Sequence, residues 1–223
     1  MRLPTVRYAL LVLAKAPTPG LAKTRLCPPC THRQAAHVAE AALLDTLDAV
    51  DAAPLAARRV LIVAGESPLW SRPGWEVVGQ RGDRLGERIA NAFVDSDTDV
   101  SLLIGMDTPQ VTGGLLARCA GLLGDAGARA DAVLGPALDG GWWLLGLRDP
   151  SHASMLAGIP TSRPDTGART RAALVGEGLR VARAPRLRDV DTAADARAVA
   201  ARCGGRFADA VGQHVPAPVA ERA

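Results

Sequence analysis

Apolar runs of strand length alternate with stretches of helical periodicity along the whole chain. This alternation predicts repeated β-α units around a mostly parallel sheet, and hence an α/β fold. The run Leu10-Leu11-Val12-Leu13 is apolar at every position, as strands covered by helices on both faces are. The predicted strands are Tyr8–Ala14, Val60–Ala64, Glu76–Gly79, Val100–Gly105, Ala132–Gly135, Trp142–Leu147 and Leu179–Ala182.

The helices between these strands carry recognisable start and stop signals. Thr31-His32-Arg33-Gln34 fits a capping box and predicts a first helix that runs to about Val50. Further helices are predicted at Leu85–Val94, Leu115–Leu123, Gly167–Val175 and Thr192–Cys203. With 223 residues, 48% of them hydrophobic, one domain is expected over residues 1–207. Residues 208–223, which contain Pro216 and Pro218, are expected to form a loose tail.

Charge and hydropathy exclude several classes of protein. The 26 basic and 23 acidic residues are scattered, without the basic block that nucleic-acid binding favours. The longest early apolar run, Tyr8 to Ala14, is far shorter than the roughly 18 residues of a membrane span. We therefore expect a cytoplasmic protein that binds neither nucleic acid nor a membrane.

Cys27-Pro28-Pro29-Cys30 has the spacing of a redox or zinc motif. Zinc usually needs four ligands, and His32 and His37 are the nearby candidates. The alternative is two ordinary cysteines in a proline-rich loop before a helix.

The loop after the first strand concentrates positive charge. Lys15 and Lys23 are the only lysines in the protein, and Arg25 follows them closely. Lysine offers a compact charge for phosphate and arginine a bidentate grip, so a di- or triphosphate is the expected ligand. The alternative is a solvated basic loop. The expected nucleotide-binding residues here are Lys15, Pro17, Gly20, Lys23, Thr24 and Arg25.

Asp107 follows the apolar strand Val100–Gly105 in the segment Met106-Asp107-Thr108-Pro109. Ligands of open α/β sheets bind at the carboxyl ends of the strands. Magnesium often takes one or two carboxylates, with phosphates and water as its other ligands, so Asp107 is a candidate metal ligand. Alternatively, Asp107 caps the turn that Pro109 helps to make.

Three further segments carry candidate site residues. In Asp139-Gly140-Gly141-Trp142-Trp143 the glycines would let the backbone approach a ligand and Trp142 would stack on it, although one tryptophan is expected to pack in the core. Asp189 or Asp191 would cap the last helix or hold a metal. The polar segment Gln80–Arg88 would contact substrate through Glu87 and nucleotide through Arg88, or form a surface network.

Together these motifs resemble the GT-A superfamily of nucleotide-diphospho-sugar transferases. Within it they resemble a small bacterial family described as glycosyltransferases, some associated with arsenosugar biosynthesis. The resemblance runs from about Tyr8 to Cys203. It is carried by Ala14-Lys15-Ala16-Pro17, Pro19-Gly20, Lys23-Thr24-Arg25-Leu26, Leu85-Gly86-Glu87-Arg88, Ile104-Gly105-Met106-Asp107-Thr108-Pro109, Leu134-Gly135-Pro136, Asp139-Gly140-Gly141 and Asp189-Val190-Asp191-Thr192.

The resemblance implies a three-layer α/β/α fold with a mostly parallel, mixed sheet, and a Lys15–Arg25 loop that binds nucleotide phosphates. It also implies that Asp107 holds Mg²⁺ or Mn²⁺ and that Asp191 matches the second metal aspartate of related nucleotidyltransferases. Two departures stand out. The family often has Ser-Asp-Cys-Pro at Met106–Pro109, and an aromatic pair with Tyr at Trp142-Trp143, which points to a different acceptor.

Three functions are compatible with these residues. The first is a metal-dependent glycosyltransferase that moves a sugar from a nucleotide-sugar to a small-molecule acceptor, with Asp107 and Asp139 as its catalytic carboxylates. The second resembles the guanylyltransferase that activates phosphoenolpyruvate or phospholactate from a nucleoside triphosphate. The third is a non-catalytic nucleotide-binding protein, although simple binding would need neither metal carboxylate.

Overall fold

The computed structural model describes residues 7–96, 98, 100–123 and 130–217, and its centre is a seven-stranded sheet. The strands are β1 (Tyr8–Lys15), β2 (Ala56–Ala64), β3 (Glu76–Gly79), β4 (Ser101–Gly105), β5 (Ala132–Pro136), β6 (Trp142–Leu147) and β7 (Val181–Arg183). They lie in the order β3-β2-β1-β4-β6-β5-β7. Within this sheet β6 runs antiparallel to β4 and β5, and the other neighbours are parallel. The predicted mixed, mostly parallel sheet is confirmed.

Six helices flank the sheet in the described part of the chain, and the first five of them lie close to the predicted positions. They are α1 (His32–Asp51), α2 (Leu85–Asp95), α3 (Gly113–Gly121), α4 (Thr166–Gly176), α5 (Ala193–Ala200) and α6 (Arg206–His214), with 3₁₀ turns at Thr24–Leu26, Pro68–Trp70 and Pro150–Gly158. The capping box at Thr31 and Gln34 is present as predicted. None of the described helices is long and apolar enough to cross a membrane.

Alternate residues of the central strand β1 face two different cores. Leu10 and Val12 pack in the core that contains Leu43 of α1, whereas Leu11 packs in the core that contains Phe93 of α2. All five side chains are fully buried. A strand between two helical layers has no solvent-facing side, which explains why this run is apolar at every position. The three-layer α/β/α arrangement is confirmed.

The largest differences from the predicted bounds are at the start of β2 and at the end of α5. Strand β2 begins at Ala56 rather than Val60, and Arg58 within it pairs with Glu76 of β3 at 2.6 Å. Helix α5 ends at Ala200, before Cys203. The segment Arg58-Arg59 has no apolar strand pattern. The sequence alone therefore did not predict the salt bridge between β2 and β3.

The predicted loose tail is wrong for its first part, because residues 206–214 form α6. Phe207 and Val211 of this helix are buried in a third core that includes Val38 of α1. The Asp45 carboxylate of α1 accepts hydrogen bonds from the N–H groups of Arg206 (3.2 Å) and Phe207 (2.8 Å). The start of α6 is thus capped by a residue distant in sequence, which no local pattern predicts. Residues 218–223 of the predicted tail lie outside the described part.

The Cys27-Pro28-Pro29-Cys30 segment lies between the first loop and α1. Both thiols are free, and Cys30 is buried in the third core, where its Sγ donates to the carbonyl of His214 at 3.4 Å. The ring of His37 packs edge-on against that of His214, with centroids 4.9 Å apart. Cys30 therefore contributes to the packing of α6 on α1.

Candidate functional site

The sequence-predicted loops meet at one edge of the sheet, where parallel strands β1 and β4 end. The antiparallel direction of β6 brings its first residue, Trp142, to the same edge, paired with Pro136 at the end of β5. Carboxyl ends of parallel strands are where open α/β sheets bind ligands. The topology therefore places the candidate residues of four separate segments side by side.

Two adjoining cavities open at this edge. The larger has a volume of about 520 Å³, within the range of small-molecule sites, and the smaller about 150 Å³. Arg25, Met106, Asp107 and Asp191 line both cavities. The smaller cavity is also lined by Lys15, Lys23 and Thr24, and the larger by Asp139, Gly141, Trp142, Arg163 and Asp189 among others.

Lys23 ties three segments of the site together. Its ammonium lies 2.5 Å from Asp107 Oδ1 and also donates to the carbonyl of Val190. The backbone N–H of Val190 donates in turn to the carbonyl of Asp107 at 2.9 Å. The Lys23 side chain is only 9% exposed, and its backbone is left-handed, with φ of 49°. The first loop, the β4 loop and the 189–191 segment are thus joined at this lysine.

The other predicted residues of the first loop divide into two groups. Lys15 and Thr24 line the smaller cavity, and the Lys15 ammonium donates to the carbonyl of Leu21 at 2.6 Å. Pro17 and Gly20 lie in the turn between the two lysines, where they shape the loop and are not among the lining residues of either described cavity. Their predicted contact with nucleotide stays a prediction.

Arg25 is a largely exposed cation at the opening of the site. Its side chain is 74% exposed, and its guanidinium lies 3.4 Å from Asp191 Oδ2. Such an exposed, loosely held pair contributes little to stability. The guanidinium can therefore turn to a phosphate at little cost.

Four aspartates line the larger cavity. One of them, Asp189, was predicted from the sequence only as an alternative to Asp191. Asp189 Oδ1 is buried and has no hydrogen-bond partner among the described residues. Burial, followed by repulsion from Asp139, Asp107 and Asp191, raises the pKa of Asp189 to about 7. The available signal was the Asp189-Val190-Asp191 spacing, because residues two apart on an extended segment share a face.

The capping alternative for Asp189 and Asp191 is wrong. Thr192 is the N-cap of α5: its Oγ1 accepts from the N–H of Asp195 at 3.2 Å, and the Asp195 carboxylate accepts from the N–H of Thr192 at 3.0 Å. Neither Asp189 nor Asp191 is needed for the cap. Both carboxylates are left to the cavity wall.

Glu87 and Arg88 bond to neighbouring backbone, as in the alternative of a surface network, and their predicted contacts with substrate and nucleotide stay predictions. Glu87 accepts from the N–H groups of Asp83 (2.9 Å) and Arg84 (3.2 Å), and these hydrogen bonds, that of Arg84 first, lower the pKa of Glu87. Arg88 Nε donates to the carbonyl of Gly82 at 2.9 Å. The residues of α2 that line the larger cavity are instead Leu85 and Ile89.

The Asp139-Gly140-Gly141 turn is held against the start of α4. Asp139 is exposed, and its Oδ1 accepts from the N–H of Gly141 at 2.8 Å. A Cβ on Gly140 would lie 1.9 Å from the carbonyl oxygen of Pro164. Gly140 therefore allows a close approach to the backbone of Pro164, and its predicted contact with substrate stays a prediction, while Gly141 lines the larger cavity.

The two tryptophans have different environments, as predicted. Trp143 is 2% exposed, and its Nε1 donates to the carbonyl of Pro185 at 2.9 Å. Trp142 is half-buried and lines the larger cavity. Trp143 also contributes to the wall of this cavity, but the burial of its ring leaves Trp142 as the stronger candidate for stacking on a substrate.

The donor atoms at this edge fit a hard divalent cation that is bound together with phosphates. Among the described residues, no three His, Cys, Asp or Glu side chains form a ready-made metal site. Asp107 and Asp191, however, both line the smaller cavity beside the cations. Mg²⁺ is often held by one or two carboxylates and substrate phosphates, and the unpartnered oxygen of Asp189 is a third oxygen donor nearby. Asp107 and Asp191 could hold such an ion together with the phosphates of a bound substrate.

Similarity to known proteins supports this description of the fold. A family described as "Uncharacterized protein conserved in bacteria (DUF2064)" matches residues 36–163. No curated protein matches the sequence.

Among solved structures, a "putative nucleotide-diphospho-sugar transferase" from Desulfovibrio desulfuricans G20 is 26% identical, with a TM-score of 0.79 over 92% of this chain and 97% of that one. A cytidylyltransferase from Leptospira borgpetersenii is 14% identical, with a TM-score of 0.60 over 93% of each chain. The manganese complex of Rv0371C from Mycobacterium tuberculosis H37Rv is 19% identical, with a TM-score of 0.51 over 87% of this chain and 98% of that one. The chain has the fold of nucleotide-diphospho-sugar transferases.

Proposed function

The chain belongs to the bacterial family DUF2064, and from this premise we propose that it is a metal-dependent transferase that moves a sugar from a nucleotide-diphospho-sugar to a small acceptor. The observation that carries the proposal is the pair of adjoining cavities, one cationic and small, the other larger and acidic, which share Arg25, Asp107 and Asp191. A diphosphate in the smaller cavity would place the attached sugar toward the larger one. The 26% identity to the Desulfovibrio protein, which is described as a transferase of this class, supports the same reading.

The first loop would bind the diphosphate of the donor. Arg25 is exposed and can offer two parallel N–H donors, and the Lys15 ammonium lines the same small cavity. In glycosyl transfer the diphosphate leaves with a developing negative charge. Cations placed beforehand around that charge stabilise the transition state more than the ground state.

Asp107 and Asp191, with Asp189 beside them, would hold Mg²⁺ or Mn²⁺. A bound divalent ion would neutralise charge on the diphosphate as the bond to the sugar breaks. Burial first, and then repulsion from Asp139, Asp107 and Asp191, raises the pKa of Asp189. This excess of acidic groups is the feature of the chain that favours a cation here.

The larger cavity would hold the sugar and the acceptor. Trp142 offers an aromatic face to a sugar ring, and Leu13, Ile89 and Leu103 supply apolar wall. Asp139 is exposed at the rim and would orient the acceptor hydroxyl and accept its proton.

Nucleotidyl transfer is the second candidate, and the third carboxylate favours it. Asp189 lines the same cavity as Asp107 and Asp191, and sites for attack at phosphorus commonly gather enough carboxylates for two metal ions. In that reaction an acceptor oxygen attacks the α-phosphorus of a nucleoside triphosphate, and pyrophosphate leaves.

The test is a thermal-shift screen against nucleotide-sugars and nucleoside triphosphates of every base, with and without Mg²⁺ or Mn²⁺. A ligand at 100 times its dissociation constant adds about 2.7 kcal/mol of stability, which is readily measured. Stabilisation by one nucleotide-sugar and its diphosphate supports glycosyl transfer. Stabilisation by a triphosphate alone supports nucleotidyl transfer, and an effect without any metal dependence would contradict both.

A further inference from the structure

Lys23 differs from the other cations of the site in being a largely buried cation in close contact with a candidate metal carboxylate. Its ammonium contacts Asp107 Oδ1 at 2.5 Å with a side chain that is 9% exposed. Lys15 contacts a carbonyl of its own loop, and Arg25 is 74% exposed beside Asp191. The chain therefore places one internal positive charge directly on Asp107.

The ammonium already contacts one oxygen of the Asp107 carboxylate, so a divalent cation on Asp107 would either displace the ammonium from that oxygen or bind close beside it through the other. We infer that Lys23 competes with the metal for Asp107, and that the metal alone therefore binds weakly until nucleotide phosphates arrive. Two cations cannot share one carboxylate oxygen at contact distance without strong repulsion. Lys23 would thus make the binding of the ion depend on the binding of the nucleotide.

Phosphates bound in the same small cavity would relieve the competition between Lys23 and the metal. Lys23 lines it together with Lys15 and Arg25, so a polyphosphate there would offer the ammonium new anionic oxygens within the side chain's reach. The two ligands would then strengthen each other's binding, as thermodynamic linkage requires. This inference rests on the proposed metal- and nucleotide-dependent function.

The experiment measures binding of Mn²⁺ alone by calorimetry, followed by thermal shift with inorganic pyrophosphate plus Mn²⁺. We compare the wild type with Lys23→Met and with Lys15→Met, which removes the other lysine of the same loop and cavity. Lys23→Met should bind Mn²⁺ alone roughly tenfold more tightly than the wild type, within the usual range of coupling between linked sites. Lys15→Met should leave the affinity for Mn²⁺ alone within about twofold, because its ammonium contacts no carboxylate among the described residues.

Adding Asp107→Asn to Lys23→Met should abolish the gain, which assigns it to this carboxylate. If Lys23→Met does not fold, Lys23→Gln keeps a donor for the carbonyl of Val190 while removing the charge. Equal or weaker Mn²⁺ binding by the folded variant would overturn the inference, even if pyrophosphate with Mn²⁺ still stabilises the wild type. No binding of Mn²⁺ by any variant, with or without pyrophosphate, would instead refute the proposed metal-dependent function.

Discussion

The first loop (Lys15–Arg25) and the segment Gln80–Arg88 look alike in sequence, since both are basic, contain glycine and follow a parallel strand. In the structure, Lys23 and Arg25 of the first loop reach carboxylates about 80 to 170 residues away. Glu87 and Arg88 of the second segment bond only a few residues back, to the turn before α2. A helix N-terminus leaves backbone groups without partners, and nearby polar side chains are recruited to satisfy them. Charged side chains remain available for ligands where no nearby backbone group requires them as a hydrogen-bond partner.

The largest effect is expected when one carboxylate in each of the two segments' surroundings is replaced by its amide. Asp107→Asn should remove the stabilisation that nucleotide plus metal gives, because the candidate metal loses its carboxylate in the β4 loop. Glu87→Gln should keep that stabilisation, since its partners are backbone N–H groups. Thermal shift with the ligand identified by the screen measures both. Unchanged ligand-induced stabilisation in Asp107→Asn would remove Asp107 from the site.

The second test compares a glycine in each region. A Cβ on Gly82, where φ is 117°, would lie 2.8 Å from the Cβ of Glu87, whereas a Cβ on Gly20, where φ is 79°, meets no atom within 4 Å. Gly82→Ala should therefore lower the free energy of unfolding by about 2 to 3 kcal/mol, and Gly20→Ala by about 1 kcal/mol. Urea denaturation gives both values. Equal losses would show that the turn before α2 is packed no more tightly than the first loop.

The third test exchanges an arginine of each region for methionine. Arg25→Met should weaken nucleotide binding about tenfold, because hydrogen bonds to charged groups contribute roughly 1.5–3 kcal/mol and 1.4 kcal/mol is a factor of ten. Arg88→Met should leave nucleotide affinity within about twofold, because the Arg88 guanidinium bonds the carbonyls of Gly82 and Asp83. Calorimetric titration with the nucleotide measures the affinity of both variants. A larger loss for Arg88→Met would restore the sequence-based assignment of Arg88 to the nucleotide.

The smallest effect concerns pH. The N–H groups of Arg84 and Asp83 lower the pKa of Glu87 in the folded protein. The resulting stability is present above the unfolded pKa of about 4.3 and is lost as the pH falls through the lower folded value. Unfolding followed from pH 6 to pH 3 should show a steeper loss for the wild type than for Glu87→Gln. Parallel curves for the two proteins would argue against the capping role.

Local patterns predicted most of the fold because strand burial and helix caps are encoded within a few residues. The apolar run of β1 and the Thr31 capping box lie where predicted. Helix α6 was missed because its cap, Asp45, lies about 160 residues earlier in the chain. For Glu87 and Arg88 the sequence left a ligand contact and a surface network open, and only the folded structure shows that their partners are neighbouring backbone groups.

The sequence by itself determined the layers, the strand ends and the types of charge placed there, because hydrophobic period and residue chemistry are properties of short segments. Only the tertiary structure decided which charges face one another. It buried an oxygen of Asp189 that has no hydrogen-bond partner among the described residues, buried Trp143 while leaving Trp142 half-buried, and placed the Lys23 ammonium against Asp107. Electrostatic energy depends on distances between atoms that the chain brings together only when it folds, so the role of each charge in this site is fixed by contacts that span most of the sequence.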